Sequence, residues 1–391
     1  MIPFEKAYDI VISSGFRTGN EVISYNDSLN RILAVDVVSD MNMPPFDKST
    51  VDGFACRKVD LESDLVIIET IPAGKWPDKT VGIRQCSRIM TGAAIPSGAD
   101  CVIMVEDAEI LHSEKVRFKG NFIRENIAIK GEDVQKGDIV LKAGKQIRPQ
   151  EIAVIASVGH VSVTVSKMPE VAIISSGSEL VDPSQIPGLS QIRNSNASQL
   201  MAQLKTAGAT GKDYGIAKDD EDETLSLVSR AITENDIVII TGGVSMGDFD
   251  FVPSVLEKAG VKIIFTRVAV QPGKPTTFGL HSKAIVFGLP GNPVSAFIQF
   301  ELLIRPLIAK MMGHDWQPVI WNLPMNEKFT RRSVERMMII PVIVNNKGCV
   351  SPVDYHGSAH ISAIPGAHGI IAIPVGKKVL EEGEIVSVRQ I

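Results

Sequence analysis

The sequence predicts a multidomain fold of α/β plus β type, in which a central doubly wound α/β domain lies between two β-rich regions. Three observations lead to this prediction. The chain has 391 residues, more than one hydrophobic core usually serves. Apolar β-branched runs alternate with helix-like segments over residues 170–313. Short β-like runs separated by Gly and Pro turns fill residues 54–125 and the segment after Trp316.

The first 169 residues are predicted to form one elongated domain with a second domain inserted into it. Apolar residues at helical spacing predict an amphipathic helix over 3–14, and Ile32–Val38 is predicted as a strand. Pro149 opens a short helix that ends at Gly159, and alternating Val and Ser or Thr residues predict a strand over 161–166. We therefore assign 1–44 and 134–169 to the elongated N-terminal domain and 45–133 to an inserted β-rich domain.

The central domain is predicted to span 170–313. Its strands are expected at 171–174, 237–240, 261–265 and 284–287, and its helices at 197–207, 223–233, 253–259 and 293–311. Asn196 is predicted to cap the first helix, Gly208 to end it and Asp222 to cap the second. Residues 316–391 carry further strands at 337–344, 369–375 and 384–388, which predict a compact, β-barrel-like C-terminal domain.

Composition excludes several classes of protein. The net charge of -5 and pI near 5.9 argue against non-specific nucleic-acid binding. No run of eighteen apolar residues exists to cross a membrane, and the N-terminus lacks the pattern of a signal peptide. The four cysteines are scattered without a CxxC pair, which is typical of thiols in a reducing compartment. These features predict a cytoplasmic protein.

Three loops rich in Gly, Pro and Ser indicate a ligand site: TGGVSMGDFD at 241–250, QPGKPTTFG at 271–279 and GLPGNPVSAF at 288–297. Loops at the carboxyl ends of parallel strands are where open α/β sheets bind ligands. Glycines let the backbone approach an anion, and a following helix N-terminus favours negative charge. The sequence therefore predicts a site for a phosphorylated ligand, with Asp250 and Lys274 placed for chemistry.

Other residues near these loops extend the predicted site. Arg267, Gln271 and Lys274 together favour an oxyanion pocket, which Ser295 and its neighbouring N–H groups would face. Glu179 follows a buried-type strand and is expected at the same sheet edge. Asp219 and Asp220 begin an acidic stretch that is either a solvated helix start or, if folding gathers carboxylates, part of a Mg²⁺ site. Structural alternatives remain: Asp250 as a helix cap, Lys274 as a solvated turn residue and Glu179 as a first-turn acid.

The motifs PPFDKSTVDGFA, RIMTGAAIPSGAD, GEDV, SSGSEL, RNSN, TGGVSMGDFD, PGKP and LPGNPVS occur in this order along nearly the whole chain. In this order they resemble the molybdopterin molybdenumtransferase (MoeA) family, whose eukaryotic relatives include gephyrin. The resemblance implies a four-domain homodimer with a shared active site and a central domain like the small MoaB and Mog proteins. It also implies insertion of molybdate or tungstate into adenylylated molybdopterin with Mg²⁺-assisted release of AMP. An adenylyltransferase-type protein would donate the substrate.

The resemblance assigns roles to individual residues. Asp52, Asp133, Asp250, Glu179 and Lys274 match positions expected to be catalytic. Thr91 matches the family's TG loop, and pterin and phosphate would be held by Thr241, Gly242, Gly243, Ser245, Gly247, Pro290, Gly291 and Asn292. Molybdate would be held by Lys274, Pro275, Ser295, Arg267, Gln271, Ser358 and Arg336, and Mg²⁺ by Asp250, Glu179 and Asp220. Asp52, Thr91 and Asp133 would serve the partner's central domain.

The chain departs from the family pattern at several positions. Gln271 stands where many bacterial members have a second lysine, and Ser178 where an aspartate is usual. Two other functions remain open: a molybdopterin adenylyltransferase, and a non-catalytic scaffold that binds the pterin. The flanking segments 1–169 and 316–391 favour insertion over adenylylation, and the acidic positions favour an enzyme over a scaffold.

Overall fold

The structure is a computed structural model that describes residues 1–112, 114–121, 124–218, 220–243 and 252–391. In residues 1–169 the helices are α1 (Phe4–Ser13) and α2 (Pro149–Ser157), with 3-10 turns at Tyr25–Asp27, Lys58–Asp60 and Val105–Asp107. The strands are β1 (Asn20–Ser24), β2 (Val37–Val38), β3 (Lys48–Ser49), β4 (Gly53–Cys56), β5 (Leu65–Ile71), β6 (Gln85–Ile89), β7 (Cys101–Met104), β8 (Ala108–His112), β9 (Lys115–Phe118), β10 (Ile127–Ala128), β11 (Ile139–Leu141) and β12 (Ser162–Ser166).

The next segment alternates strands and helices as predicted. Its helices are α3 (Ser195–Ala207), α4 (Glu221–Glu234), α5 (Val252–Lys258), α6 (Pro293–Gln299) and α7 (Arg305–Met311), with a π-helical turn at Phe300–Ile304 between the last two. Its strands are β13 (Glu170–Ser176), β14 (Leu180–Val181), β15 (Ile192–Arg193), β16 (Thr210–Ala217), β17 (Ile237–Thr241), β18 (Lys262–Phe265), β19 (Val270–Gln271), β20 (Thr277–Leu280) and β21 (Ile285–Leu289).

The C-terminal segment is built from strands around a 3-10 turn at Ile361–Ala363. The strands are β22 (Ile320–Pro324), β23 (Phe329–Thr330), β24 (Met337–Val344), β25 (Val350–Pro352), β26 (Gly369–Ile373), β27 (Val379–Leu380) and β28 (Ile385–Gln390). They form a sheet in the order β19-β24-β26-β28-β22, and β25 pairs with β24 outside this order. Because β19 comes from the central segment, the C-terminal sheet is joined by backbone hydrogen bonds to the loop that carries Lys274.

The central sheet has the order β16-β13-β17-β21-β20-β18. The strands β16, β13, β17 and β21 are parallel, whereas β20 is antiparallel to both of its neighbours. Ile237–Ile240 are fully buried, as expected of a parallel strand covered on both faces. One face carries α4 and α5 over a core that includes Val228, and the other carries α3, α6 and α7. This is the predicted doubly wound α/β arrangement.

The inserted segment forms a separate mixed sheet in the order β7-β4-β6-β5-β9-β8. The ribbons β1–β12 and β2–β11 surround a further core that includes Leu33, Ile155 and Val165. Helix α1 does not join that core: its Ala7 and Val11 belong to the core of the central sheet. The domain limits predicted from the sequence stay a prediction.

Several local predictions are wrong. Ile32 and Leu33 form only isolated bridges, and the strand proper is Val37–Val38. The sequence analysis missed β16 and β20; β16 is a polar edge strand with two glycines and therefore lacks an apolar pattern. Helix α3 is capped by Asn194, not Asn196, and α4 by Asp220, not Asp222. None of the helices in the described part of the chain combines the length and apolar character needed to cross a bilayer.

Candidate active site

A cavity of about 710 Å³ lies at the carboxyl edge of the central sheet. Its walls come from the loops that follow β13, β17 and β21 and from the start of α3. Six of the residues predicted to hold pterin and phosphate line it together: Thr241, Gly242, Gly243, Pro290, Gly291 and Asn292. The predicted convergence of these loops therefore occurs in the folded chain.

The Asn196 side chain ties these loops together. Its Nδ2 donates to Thr241 Oγ1 at 2.7 Å and to the Gly291 carbonyl at 2.8 Å. Thr241 Oγ1 in turn donates to the Pro290 carbonyl at 3.2 Å. Because Asn196 is only 8% exposed, these bonds are shielded from water and fix the spacing between the ends of β17 and β21.

Gly242 allows the backbone to pass close to the neighbouring loop. Its φ is 94°, in the left-handed region, and a Cβ placed there would lie 2.1 Å from the Ser176 carbonyl oxygen. A side chain at this position would therefore be strained in the backbone and would overlap the wall of the cavity. Gly242 is therefore required for the close approach of two loops at the strand ends. The sequence predicted a different reason for glycine here, the approach of the backbone to an anion.

Two buried polar atoms in the cavity wall have no hydrogen-bond partner among the described residues: Ser176 Oγ and Asn196 Oδ1. Buried polar groups are normally paired, and exceptions often mark a place where a ligand or water completes the bonding. A hydroxyl can donate or accept, while an amide oxygen accepts. The wall thus offers an acceptor and a donor to a polar ligand. Ser176 is the last residue of β13 and belongs to the SSGSEL motif, but no role was predicted for it from the sequence.

A second cavity of about 360 Å³ adjoins the first, and Pro275, Pro290 and Asn292 line both. It contains six of the seven residues predicted to hold an oxyanion: Gln271, Lys274, Pro275, Ser295, Arg336 and Ser358. Arg267 lines neither cavity; its backbone carbonyl accepts the Ile2 N–H. Within the described residues, Lys274 and Arg336 have no carboxylate partner, so their charges remain available to an anion.

The C-terminal segment supplies one wall of this anion pocket. Arg336 donates from Nη1 to the Val270 carbonyl at 3.3 Å and lies 3.5 Å from Gln271 Oε1. Asn292 Nδ2 donates to Ser358 Oγ at 2.8 Å, and the Ser358 carbonyl accepts the Val294 N–H at 3.1 Å. Since Ser358 Oγ accepts from Asn292, its own O–H is free to donate into the pocket.

Tyr355 lies beside the anion pocket and was also missed from the sequence. It lines the anion pocket and a further cavity of about 380 Å³ that includes Arg332. Burial raises the pKa of the Tyr355 phenol to about 12, so the group stays protonated, and its Oη has no partner in the described structure. The adjacent Arg331 is different: it is 3% exposed and donates to three backbone carbonyls, so it holds loops together.

Among the described residues, the predicted acidic side chains do not come together at the cavities of one chain. Among the described residues that line the two cavities, Glu179 is the sole carboxylate. Asp220 Oδ1 accepts the Glu223 N–H at 2.8 Å, so it caps α4 and lines neither cavity. Asp250, Ser245 and Gly247 lie outside the described residues. Within the described ranges, no three His, Cys, Asp or Glu side chains come together as a protein-built metal site would require.

Asp52, Thr91 and Asp133 lie exposed on the inserted segment and its return, and none of them lines the cavities. Asp52 Oδ1 accepts from the Thr91 backbone N–H at 2.6 Å and from its hydroxyl at 2.7 Å. These two bonds hold the pKa of the Asp52 carboxyl below its usual value, and the bond from the Thr91 backbone has the larger effect. The structure therefore pairs Asp52 with Thr91 and leaves both facing solvent.

Three family models match consecutive parts of the chain. The MoeA N-terminal region (domain I and II) matches residues 2–159, the probable molybdopterin binding domain matches 172–310, and the MoeA C-terminal region (domain IV) matches 323–391. Among curated proteins, the molybdopterin molybdenumtransferase of Staphylococcus aureus (strain COL) is 36% identical over 99% of this chain and 95% of its own. That of Staphylococcus epidermidis (strain ATCC 12228) is 35% identical with the same coverage.

Solved structures resemble the chain over its whole length. A crystal structure of a molybdopterin biosynthesis MoeA protein from Pyrococcus horikoshii is 32% identical, with a TM-score of 0.83, and covers 100% of this chain and 99% of the other. A second structure of a MoeA protein from Pyrococcus horikoshii OT3 is 28% identical with a TM-score of 0.87 and full coverage of both chains. Sequence and fold therefore point to the same relatives.

Proposed function

The chain belongs to the MoeA family, and from this membership we propose that it is a molybdopterin molybdenumtransferase that works in molybdenum cofactor biosynthesis. One observation supports the proposal above others. A polar, glycine-lined cavity adjoins a cationic pocket, and Pro275, Pro290 and Asn292 line both. This arrangement suits a reaction that brings a pterin and an oxyanion together at one boundary.

The larger cavity is the proposed pterin and phosphate site. The unpartnered Asn196 Oδ1 and Ser176 Oγ offer an acceptor and a donor to the polar edge of a heterocycle. Gly242 keeps the backbone between them free of side chains. At about 710 Å³ the cavity lies within the usual size range of ligand sites, roughly 300–1,000 Å³. These residues bind and orient the substrate and leave its reactive end toward Asn292.

The smaller pocket is the proposed molybdate site. Lys274 and Arg336 supply positive charge with no competing carboxylate in the part of the chain that the structure describes, and Ser295 and Ser358 supply hydroxyl donors. Molybdate and tungstate have nearly equal size and charge, so this set of donors accepts either. Gln271 adds an amide where a second lysine would add charge, and Arg336 lies beside it and supplies a cation.

The finer steps of the proposal are that the pterin is adenylylated and that Mg²⁺ assists release of AMP. Mg²⁺ in such sites takes one or two carboxylates together with phosphate oxygens and water, and Glu179, the one carboxylate among the described lining residues, fits that requirement. When bound, the ion would neutralise charge on the phosphate groups. Asp250 is a proposed second ligand outside the described residues.

We propose that the active site is completed by a second copy of the chain. Asp52, Thr91 and Asp133 are exposed and remain outside the cavities of their own chain. In a homodimer they would reach the partner's central domain. The hydrogen bonds from Thr91 keep Asp52 ionised and oriented, which suits a residue that positions a water or a cation. An adenylyltransferase-type protein would supply the substrate.

The test is to incubate purified protein with adenylylated molybdopterin and Mg²⁺, with and without molybdate or tungstate, and to measure AMP and metal bound to the pterin. Oxyanion-dependent AMP release is expected. Lys274→Ala should weaken apparent molybdate affinity by about tenfold or more, because it removes a charged donor. The matched control is Lys283→Ala, an exposed lysine in the turn before β21, which should leave the kinetics unchanged.

Other results would favour the alternatives. Consumption of ATP with formation of adenylylated pterin would indicate an adenylyltransferase. Tight pterin binding without AMP release would indicate a scaffold.

The shared site has its own test. Asp52→Ala and Lys274→Ala proteins, each impaired alone at limiting molybdate, should recover part of their activity when mixed, because one of the two sites in a mixed dimer is intact. Failure of mixed dimers to recover activity would refute a site shared between subunits.

A further inference from the structure

A cavity of about 520 Å³ lies away from the candidate active site and shares no lining residue with it. It is formed where three parts of the chain meet: the loops of the N-terminal segment, the ends of α3 and α7, and the segment that leads to the C-terminal strands. The polar and aromatic side chains in its wall come from Asn30, Gln146, Lys205, Arg305, His314 and Trp316. None of its described lining residues is an aspartate or glutamate.

The charges beside this cavity do not balance. Glu301 is 4% exposed, and its Oε2 lies 2.7 Å from Arg305 Nε and 3.8 Å from Arg389 Nη2. Both guanidinium groups lie over the Trp316 ring, at 5.9 Å and 5.2 Å from its centroid. The single carboxylate of Glu301 thus lies beside two mostly buried guanidinium groups, whereas a buried charge normally has its own partner of opposite charge. The surplus is positive and lies behind an aromatic wall of the cavity.

Two further donors extend the positive region to the cavity itself. Lys205 is exposed, and its ammonium group has no hydrogen bond or ion pair among the described residues. His314 Nδ1 lies 2.7 Å from the Gly144 carbonyl oxygen, so Nδ1 carries the proton and Nε2 is the nitrogen left for another partner. The amides of Asn30 and Gln146 add neutral donors to the cavity wall.

We propose that this cavity binds a small phosphorylated molecule. Ammonium, guanidinium and amide donors around an acid-free cavity are the groups that recognise phosphate oxygens. The volume exceeds that of a lone inorganic anion and lies in the range of ligand sites.

A molecule bound there contacts all three parts of the chain at once. It would therefore hold the N-terminal segment, the central domain and the C-terminal segment in one arrangement, and so act on the enzyme without entering its active site.

Isothermal titration calorimetry with inorganic pyrophosphate in Mg²⁺-free buffer tests the proposal. The Lys274→Ala protein is used throughout, so that binding in the candidate active site is weakened. Into it we would introduce Lys205→Glu or, as the matched control, Lys262→Glu, an exposed lysine on β18 that does not line the cavity. Loss of a charged donor and gain of a carboxylate should weaken binding by about tenfold or more for Lys205→Glu.

The control variant should change the affinity by less than about twofold, because surface charges beyond a Debye length are screened. Saturable pyrophosphate binding that is lost with Lys205→Glu and kept with Lys262→Glu would support the site. Equal affinities in the two variants, or no saturable binding in the Lys274→Ala protein, would overturn it. The milder variant Lys205→Gln gives the same comparison at nearly constant local structure, so poor folding of Lys205→Glu would not leave the question open.

Discussion

Replacing Asn196 by aspartate is the sharpest perturbation of the candidate active site, because it keeps the shape of the side chain and reverses one polar end. In the folded chain Nδ2 donates to Thr241 Oγ1 and to the Gly291 carbonyl. Aspartate would place a negatively charged acceptor there, opposite a carbonyl that cannot donate. The Thr241 hydroxyl can rotate toward the carboxylate, but it then releases the Pro290 carbonyl.

The magnitude follows from the bonds that are lost. Two hydrogen bonds of a buried amide contribute about 1 kcal/mol each, and a buried carbonyl left without a donor costs about 1–3 kcal/mol. We expect Asn196→Asp to lower the free energy of unfolding by about 3 kcal/mol. It should also weaken pterin binding, because the ends of β17 and β21 would separate.

The matched control is Asn194→Asp. Asn194 caps α3: its Oδ1 accepts the Ala197 N–H, and its Nδ2 donates to Ser175 Oγ, a hydroxyl that can reverse its role. Aspartate is as good a helix cap as asparagine, so this change should cost less than about 1 kcal/mol. Urea denaturation followed by circular dichroism measures both variants. If the two variants lose equal stability, the Asn196 bonds to Thr241 and Gly291 contribute nothing beyond an ordinary polar contact, and the role of Asn196 in holding the loops together is refuted.

Three other predictions concern single residues. Gly242→Ala should destabilise the protein by about 2–4 kcal/mol, because its Cβ would overlap the Ser176 carbonyl at a positive φ; an unchanged melting temperature would contradict this. The hydrogen bond from the Arg148 side chain is the main reason that the pKa of Glu151 falls from 4.5 to about 2. The ionised Glu151 therefore stabilises the folded protein fully above about pH 4.5, and this contribution disappears as the pH falls toward 2. Glu151→Gln should therefore lower the unfolding free energy by about 2 kcal/mol at pH 7 and by little near pH 2, and an equal loss at both pH values would exclude the ion pair as its cause. Asn292→Ala removes the donor to Ser358 Oγ and should raise the KM for molybdate several-fold with little change in melting temperature; an unchanged KM would show that Ser358 does not need this bond.

Much of the central domain was predictable because its strands are buried on both faces. Such strands read as continuous apolar runs, so Ile237–Ile240 and Ile285–Phe287 stand out in the sequence. The edge strand β16 has no such run, and it was missed. Helix limits were accurate where Pro149 or Gly208 fixed them, whereas neighbouring Asn and Asp residues left the caps of α3 and α4 undecided by two positions.

The sequence by itself determined the fold class, the positions of the three ligand loops and the chemical types they carry, because apolar periodicity, glycine and proline act within a few residues. It did not determine which side chains share a cavity. Asn196 reaches Thr241 and Gly291 across 45 and 95 residues of chain, and Ser358 reaches Asn292 across 66. Those partnerships depend on the packing of whole sheets against one another. Packing is set by the sum of many weak contacts, so no local pattern records it, and only the tertiary structure decided that the anion pocket is built from the central and C-terminal segments together.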